Sequence, residues 1–321
     1  MSIKNIVSIH YNMYFRSLKQ DKKGFLLLTD KGSYKLMKTS LSPSDIVFIY
    51  SAQQHLRDNK FSYFERIIPT KDGCPYIRFE NNFYILHSNI EGNPIELNED
   101  NLQKCVDFIN LFHSTSTNLK YTSGSKQRIG YGVDRIKSRN IYSVLSKVKN
   151  NPEIIKDKEI RSYINENIDK QIQYAKKVIE IFEDSNYLRL IEYAMNESRF
   201  IHGNLCTKNI LEYNNKLYLK NLFDIEMNIR EKDIADFLKS ILEKDKNINI
   251  DEIIYEFHNK SENYYRRKII LALILMPIEF YSMVKKVMKL EEKWTIKMFQ
   301  NKIDKIVQNN EIKDIILASL H

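Results

Sequence analysis

Phe200-Ile201-His202-Gly203-Asn204-Leu205-Cys206-Thr207-Lys208-Asn209-Ile210-Leu211 is the segment around which the rest of this chain organises. It joins a helical tract over roughly 155–198 to a β hairpin over 209–223 that turns at Asn214-Asn215. Leu217-Tyr218-Leu219-Lys220-Asn221-Leu222-Phe223 closes that hairpin, and Lys232-Asp233-Ile234-Ala235-Asp236-Phe237-Leu238-Lys239 then opens a helix. Everything beyond about Asp233 reads as helix, with no glycine after Gly203.

On the N-terminal side, the first 95 residues read as strands with one helix. FLLLTD (25–30) and SYKLMK (33–38) flank the hairpin turn Asp30-Lys31-Gly32. Ser42-Pro43-Ser44-Asp45 supplies N-cap acceptors and a first-turn proline, and Ile46, Ile49, Tyr50 and Leu56 give the helix after it an apolar face. FERIIP (64–69), PYIRFE (75–80) and NFYILH (82–87) read as further strands, the last two across Asn81-Asn82. From Asn98 the period turns helical, with Leu102, Val106, Ile109 and Phe112 in register. Residues 118–152 are polar, contain Gly124, Gly130 and Gly132, and read as a loop or insertion.

Composition narrows the class. The 321 residues carry 50 Lys plus Arg against 41 Asp plus Glu, a formal charge of +9. With 43% apolar and 28% charged residues, the chain is globular rather than disordered or collagen-like. Cys74, Cys105 and Cys206 form no C-x-x-C pair, which excludes a disulfide framework or zinc ribbon and fits a reducing compartment. The N-terminal segment has no signal-peptide core, and IILALILM (269–276) is too short to span a bilayer before Pro277. Cations alternate with anions along most of the chain, so a solvated surface is expected rather than a nucleic-acid site. The seven histidines show no metal spacing, and Cys206 reads as a packing residue.

The segment around His202 resembles the H-G-D-x-x-x-x-N-[IV]-L catalytic loop of the aminoglycoside and choline phosphotransferase branch of the protein-kinase-like superfamily. Residues 232–239 are similar to the D-L-A-x-F-L helix start of that branch. DKGSYKLMK (30–38), DIVFIYSAQQHLRDN (45–59), IIPTKDGCPYIRFENNFYIL (67–86) and IEGNPIEL (90–97) resemble the bacterial spore coat family CotS. The resemblance implies a bilobal kinase-like α+β fold, with a small β-rich N-lobe over 1–92 and a large, mainly helical C-lobe over 93–321.

It also implies what each position would have to do. Phosphoryl transfer needs a carboxylate at the third loop position to orient the attacking hydroxyl and accept its proton. Here that position is Asn204, and an amide brings neither basicity nor charge. Asn209 matches the metal-binding Asn of the family. The metal-bridging Asp falls on Asn221 in one register and on Asp224 in another. The phosphate-pairing lysine falls on Met37, with Lys35 two residues earlier on the same strand face, about 7 Å away. The scaffold positions His202, Asn209 and Asp233 are present, and His202 and Asp233 would brace the loop.

Charge missing at Met37, Asn204 and Asn221 leans the reading away from an enzyme. The expectation is a coat-associated pseudokinase, a structural or interaction protein with no cofactor. Its partners would be other spore coat proteins, not nucleic acid or a membrane interior. Its location would be the mother-cell cytoplasm and then the spore coat. The alternative is an ATP- and Mg-dependent small-molecule phosphotransferase using Lys35 for phosphate with Asn209 and Asp224 for metal.

Overall fold

The computed structural model describes residues 3–11, 13–21, 24–246, 248–258, 263–289 and 295–320. Among them the chain runs α1 (Ile3–His10), β1 (Phe15–Asp21), β2 (Gly24–Thr29), β3 (Gly32–Thr39), α2 (Pro43–Asp58), β4 (Ile77–Phe79), β5 (Asn82–Ser88), β6 (Asn93–Pro94) and α3 (Glu99–Thr115). Then come α4 (Val133–Asn150), α5 (Lys158–Glu183), α6 (Ser185–Asn196), β7 (Phe200–Ile201), β8 (Ile210–Tyr213), β9 (Lys216–Leu219), β10 (Glu226–Met227) and α7 (Arg230–Leu242). The chain closes with α8 (Ile250–Phe257), α9 (Tyr264–Leu275), α10 (Ile278–Lys289), α11 (Ile296–Gln308) and α12 (Asn310–Ser319). It divides into two compact units, 1–129 with 194–233, and 130–193 with 234–321.

The first unit is built on a five-stranded antiparallel sheet in the order β1-β2-β3-β5-β4. Its register sets Lys35 between Leu26 and His87, and Met37 between Gly24 and Ile85. One face is covered by α1 and the residue after it: Ile6, Val7 and Tyr11 pack with Leu27, Tyr34, Leu36, Ile77 and Leu86. Helix α2 starts where Ser42 and Asp45 form a reciprocal capping box, and it buries Ile46, Phe48, Ile49 and Leu56. Phe61 is the centre of an aromatic cluster with Phe64, Phe108 and Phe112, and Phe112 in turn meets Phe200 edge-on. That cluster ties α3 to β7, the strand entering the His202 loop. Two small sheets, β6-β8-β9 and β7-β10, hold the loop at its ends.

Several expectations need correction. A second N-terminal helix, α1, precedes the strands. FERIIP makes no strand of its own: Phe64 bridges Leu219 and Ile67 bridges His87, and the Ile67 N–H goes to the Gln53 side chain at 2.7 Å rather than to a ladder. Residues 133–150 are helical rather than loop. Ile141, Leu145 and Val148 supply a buried stripe at i, i+4 and i+7, thin enough to be hidden by the Lys, Arg, Ser and Asn around it. The preceding Gly132, at φ 71, occupies the left-handed N-cap of α4.

In the second unit, α5 runs 26 residues and buries Ile160, Ile164, Ile168, Ala175, Val178 and Phe182 along one face. The tract expected to continue to 198 breaks at Asp184, which is extended and whose carboxylate accepts from Asn186 N–H. Helix α9 is buried at every position from Ile269 to Leu275, so its apolar run is the interior of a helical bundle. Among the described residues no helix is long and apolar enough to cross a membrane. The helical expectation for the C-terminal region holds, although 259–262 and 290–294 lie outside the described residues.

Candidate functional site

Every residue of the site belongs to the first unit. Its anchor is Asp233, fully buried in the first turn of α7. Oδ2 accepts from the backbone N–H of His202 at 2.8 Å and from His113 Nε2 at 3.0 Å, while Oδ1 accepts from Gly203 N–H at 3.0 Å. Burial raises the carboxyl, but the bond from His113 and the backbone donor outweigh it and hold Asp233 below the usual carboxylate range. Burial likewise drives His113 downward, against the pull of Asp233. Its Nδ1 is buried with no partner, which suits a neutral imidazole donating from Nε2.

The loop is then threaded tightly. His202 donates from Nε2 to Lys220 O (3.0 Å) and accepts at Nδ1 from Asn204 N–H (3.3 Å), which selects one tautomer. Gly203 has φ +78, and a Cβ there would sit 2.1 Å from Asp224 O, so the position admits only glycine without a shift of the backbone.

Asn204 is exposed at the tip of the loop, and its Nδ2 donates to Asp224 Oδ2 at 3.1 Å. Asn209 is buried: Nδ2 donates to Asn204 O and Oδ1 accepts from Asn221 Nδ2, both at 2.8 Å. Asn221 itself is left-handed, at φ 59. The structure thus sets the two alternatives for the metal position at different places, Asn221 on Asn209 and Asp224 on Asn204. For a hard cation such as magnesium the donor set is thin. Asn209 Oδ1 is engaged by an amide, and Asp224 is the lone carboxylate among Asn204, Asn209, Asn221 and Asp224. Among the described residues no three His, Cys, Asp or Glu side chains gather as a metal cluster. The set fits magnesium poorly.

Beside Asn221 lies a cavity of about 130 Å³ whose walls include Lys35, Met37, Glu65, His87, Lys220 and Asn221. Lys35 and Met37 share a strand face, so a lysine reaches this cavity from two residues before the position where the resemblance places one. Glu65 and His87 are both buried. Burial lifts the Glu65 carboxyl even though Lys35 and the N–H of Ile90 oppose it. Burial also pushes His87 down to about 4, with Lys35 adding to the effect. His87 donates from Nδ1 to Ser88 O at 3.0 Å, leaving a bare, buried Nε2.

Four participants escaped the sequence reading: His113, Glu65, His87 and Lys220. His113 had a signal, since it falls on the same helical stripe as Val106 and Ile109. Glu65, too, is a charge set among apolar residues. His87 and Lys220 look like ordinary strand residues and become informative only through cross-strand register.

No protein-family model matches the sequence. The fold is that of kinase-like phosphotransferases. It matches an aminoglycoside phosphotransferase from Alicyclobacillus acidocaldarius subsp. acidocaldarius DSM 446 with TM-score 0.76 and 16% identity, over 100% of this chain and 96% of that one. A spectinomycin phosphotransferase solved with ADP and spectinomycin matches at TM-score 0.65 and 14% identity, covering 98% and 96%. A microcompartment-associated aminopropanol kinase matches at 0.66 and 12%, covering 99% and 98%. The α+β kinase-like fold expected from the sequence is therefore the one observed.

The sequence is similar to Spore coat protein S of Bacillus subtilis (strain 168), with 22% identity over 234 residues, 71% of this chain. The match spans 65% of that coat protein, just under two thirds of its length.

Proposed function

We propose that this protein is a spore coat-associated pseudokinase, a structural and interaction component that uses the kinase-like fold as a scaffold without transferring phosphate. The observation that carries this reading is the Asn204–Asp224 hydrogen bond. The side chain where a general base is required is an amide, and it spends its donor on the neighbouring carboxylate. A missing general base lowers rate by about 10²–10⁴, and the thin oxygen set compounds that loss. The relationship to Spore coat protein S supports a place in the coat with other coat proteins as partners, and a division into an N-lobe over 1–92 and a C-lobe over 93–321 goes with the reading.

A second reading, an ATP- and Mg-dependent small-molecule phosphotransferase, draws support from one feature. Asp224 places an exposed carboxylate at the loop tip, while Lys35 and Lys220 line the cavity next to Asn221.

Thermal melts with millimolar ATP, with and without magnesium, separate the two. A ligand at 100 times its dissociation constant adds about 2.7 kcal/mol. The scaffold reading expects no magnesium-dependent shift. It also expects Asn204→Ala to enter the coat fraction of sporulating B. subtilis as the parent protein does. A magnesium-dependent shift abolished by Asp224→Asn would establish the second reading instead.

A further inference from the structure

The second unit contains a cavity of about 260 Å³, unrelated to any residue of the His202 loop. Its walls come from the end of α7, the α9–α10 connection, and α11 with α12. Leu242, Ile274, Met276, Ile306 and Ile312 are buried apolar residues on that lining. Lys313, in the first turn of α12, also lines it.

The charges around Lys313 define the chemistry. Its ammonium lies 5.8 Å from the centroid of the Tyr174 ring and makes no ion pair or hydrogen bond among the described residues. Tyr174 is already committed through its hydroxyl to Asp314 Oδ1 at 2.6 Å, and Asp314 Oδ2 takes Lys170 at 2.5 Å. Lys239, the other lysine of the lining, is paired with Asp236 at 3.1 Å. Glu243 and Glu279 also line the cavity and are exposed. Burial pushes Lys313 down to about 8, with Glu279 pulling it up and Lys239 pulling it further down.

An amine on a largely apolar wall with no ion pair of its own is costly, and an anion that brings its own apolar surface removes that cost. The exposed Glu243 and Glu279 are screened by solvent, so the less exposed Lys313 sets the preference for an anion over an amine, and the glutamates add to the cost of a second negative charge. A single negative charge on a hydrocarbon tail satisfies both conditions. We propose that this cavity binds a small aliphatic monocarboxylate, its carboxylate on Lys313 and its tail against Leu242, Ile274, Met276, Ile306 and Ile312.

Isothermal titration of the full chain with octanoate and with octylamine tests this. Octanoate binds and octylamine does not. Lys313→Met, whose fold is checked by circular dichroism and urea midpoint, loses affinity by about tenfold or more, while Lys313→Arg keeps it. Raising the pH from about 7 to about 9 weakens binding to the parent protein as Lys313 loses its proton, and leaves the Lys313→Met variant flat. A second variant, Ile306→Phe, weakens octanoate by narrowing the cavity with the lysine intact. Failure of octanoate to bind the folded parent protein at millimolar concentration, equal binding of octylamine, or undiminished binding to folded Lys313→Met would each overturn the proposal.

Discussion

Asp233 satisfies three buried donors at once, two from the backbone of the loop and one from His113. Removing one member of such a buried arrangement leaves the others uncompensated, so Asp233→Asn is expected to cost about 3–5 kcal/mol at neutral pH. A urea midpoint measurement reads that loss. Because the folded-state value is depressed, the contribution is complete above the unfolded carboxyl value of about 3.9 and is lost as pH falls through the lower folded value. The gap between parent and variant therefore closes in acid. His87 gives a different window. Its folded value of about 4 lies below the unfolded value of about 6.5. Stability thus declines as pH falls from the unfolded value and levels off below the folded one, by up to about 3 kcal/mol. His87→Gln should flatten that slope; a slope unchanged in the variant would assign it to other groups.

At the scale of elements, the loop is fixed by close backbone approach. Gly203→Ala would force a Cβ against Asp224 O and is expected to destabilise by about 2 kcal/mol or more while breaking the Asn204–Asp224 bond. Denaturant unfolding gives the energy, and the Asn204 side-chain amide resonances report the bond. Ser42→Ala removes the capping box of α2 and should cost about 1 kcal/mol by the same assay. These elements were also unequally legible. The β2–β3 hairpin, α2, α3 and the β8–β9 hairpin follow from turn residues, caps and strong periodicity, which act over a few neighbouring residues. Helix α4 carries its apolar stripe in a polar background, and the FERIIP segment is held by single bridges and the Gln53 side chain. Both depend on distant packing that no local window contains. The same division runs through the site. His202, Asn204, Asn209 and Asp233 belong to one motif-bearing region, whereas the Lys35–Glu65–His87 grouping is assembled by cross-strand register and a bridge.

At the scale of the whole molecule, the kinase-like α+β fold accounts for both the short sheets around the loop and the helical mass that follows it. The excess of cations is +9 from 50 against 41, and the two signs are interleaved rather than gathered in a stripe. Affinity for duplex DNA at physiological salt should accordingly be no tighter than non-specific binding, with dissociation constants above about 10⁻⁶ M. A gel shift showing a tighter complex would contradict that expectation.

The hold of Asp233 on the loop reaches beyond stability. The amide hydrogens of His202 and Gly203 point at a carboxylate sealed from solvent, so they should exchange with deuterium only when the surrounding structure opens as a whole. A turn anchored in that manner cannot behave as a flap. Any partner or small molecule that meets this surface encounters a rigid template, and adaptation to it has to come from side chains such as Asn204 and Asp224.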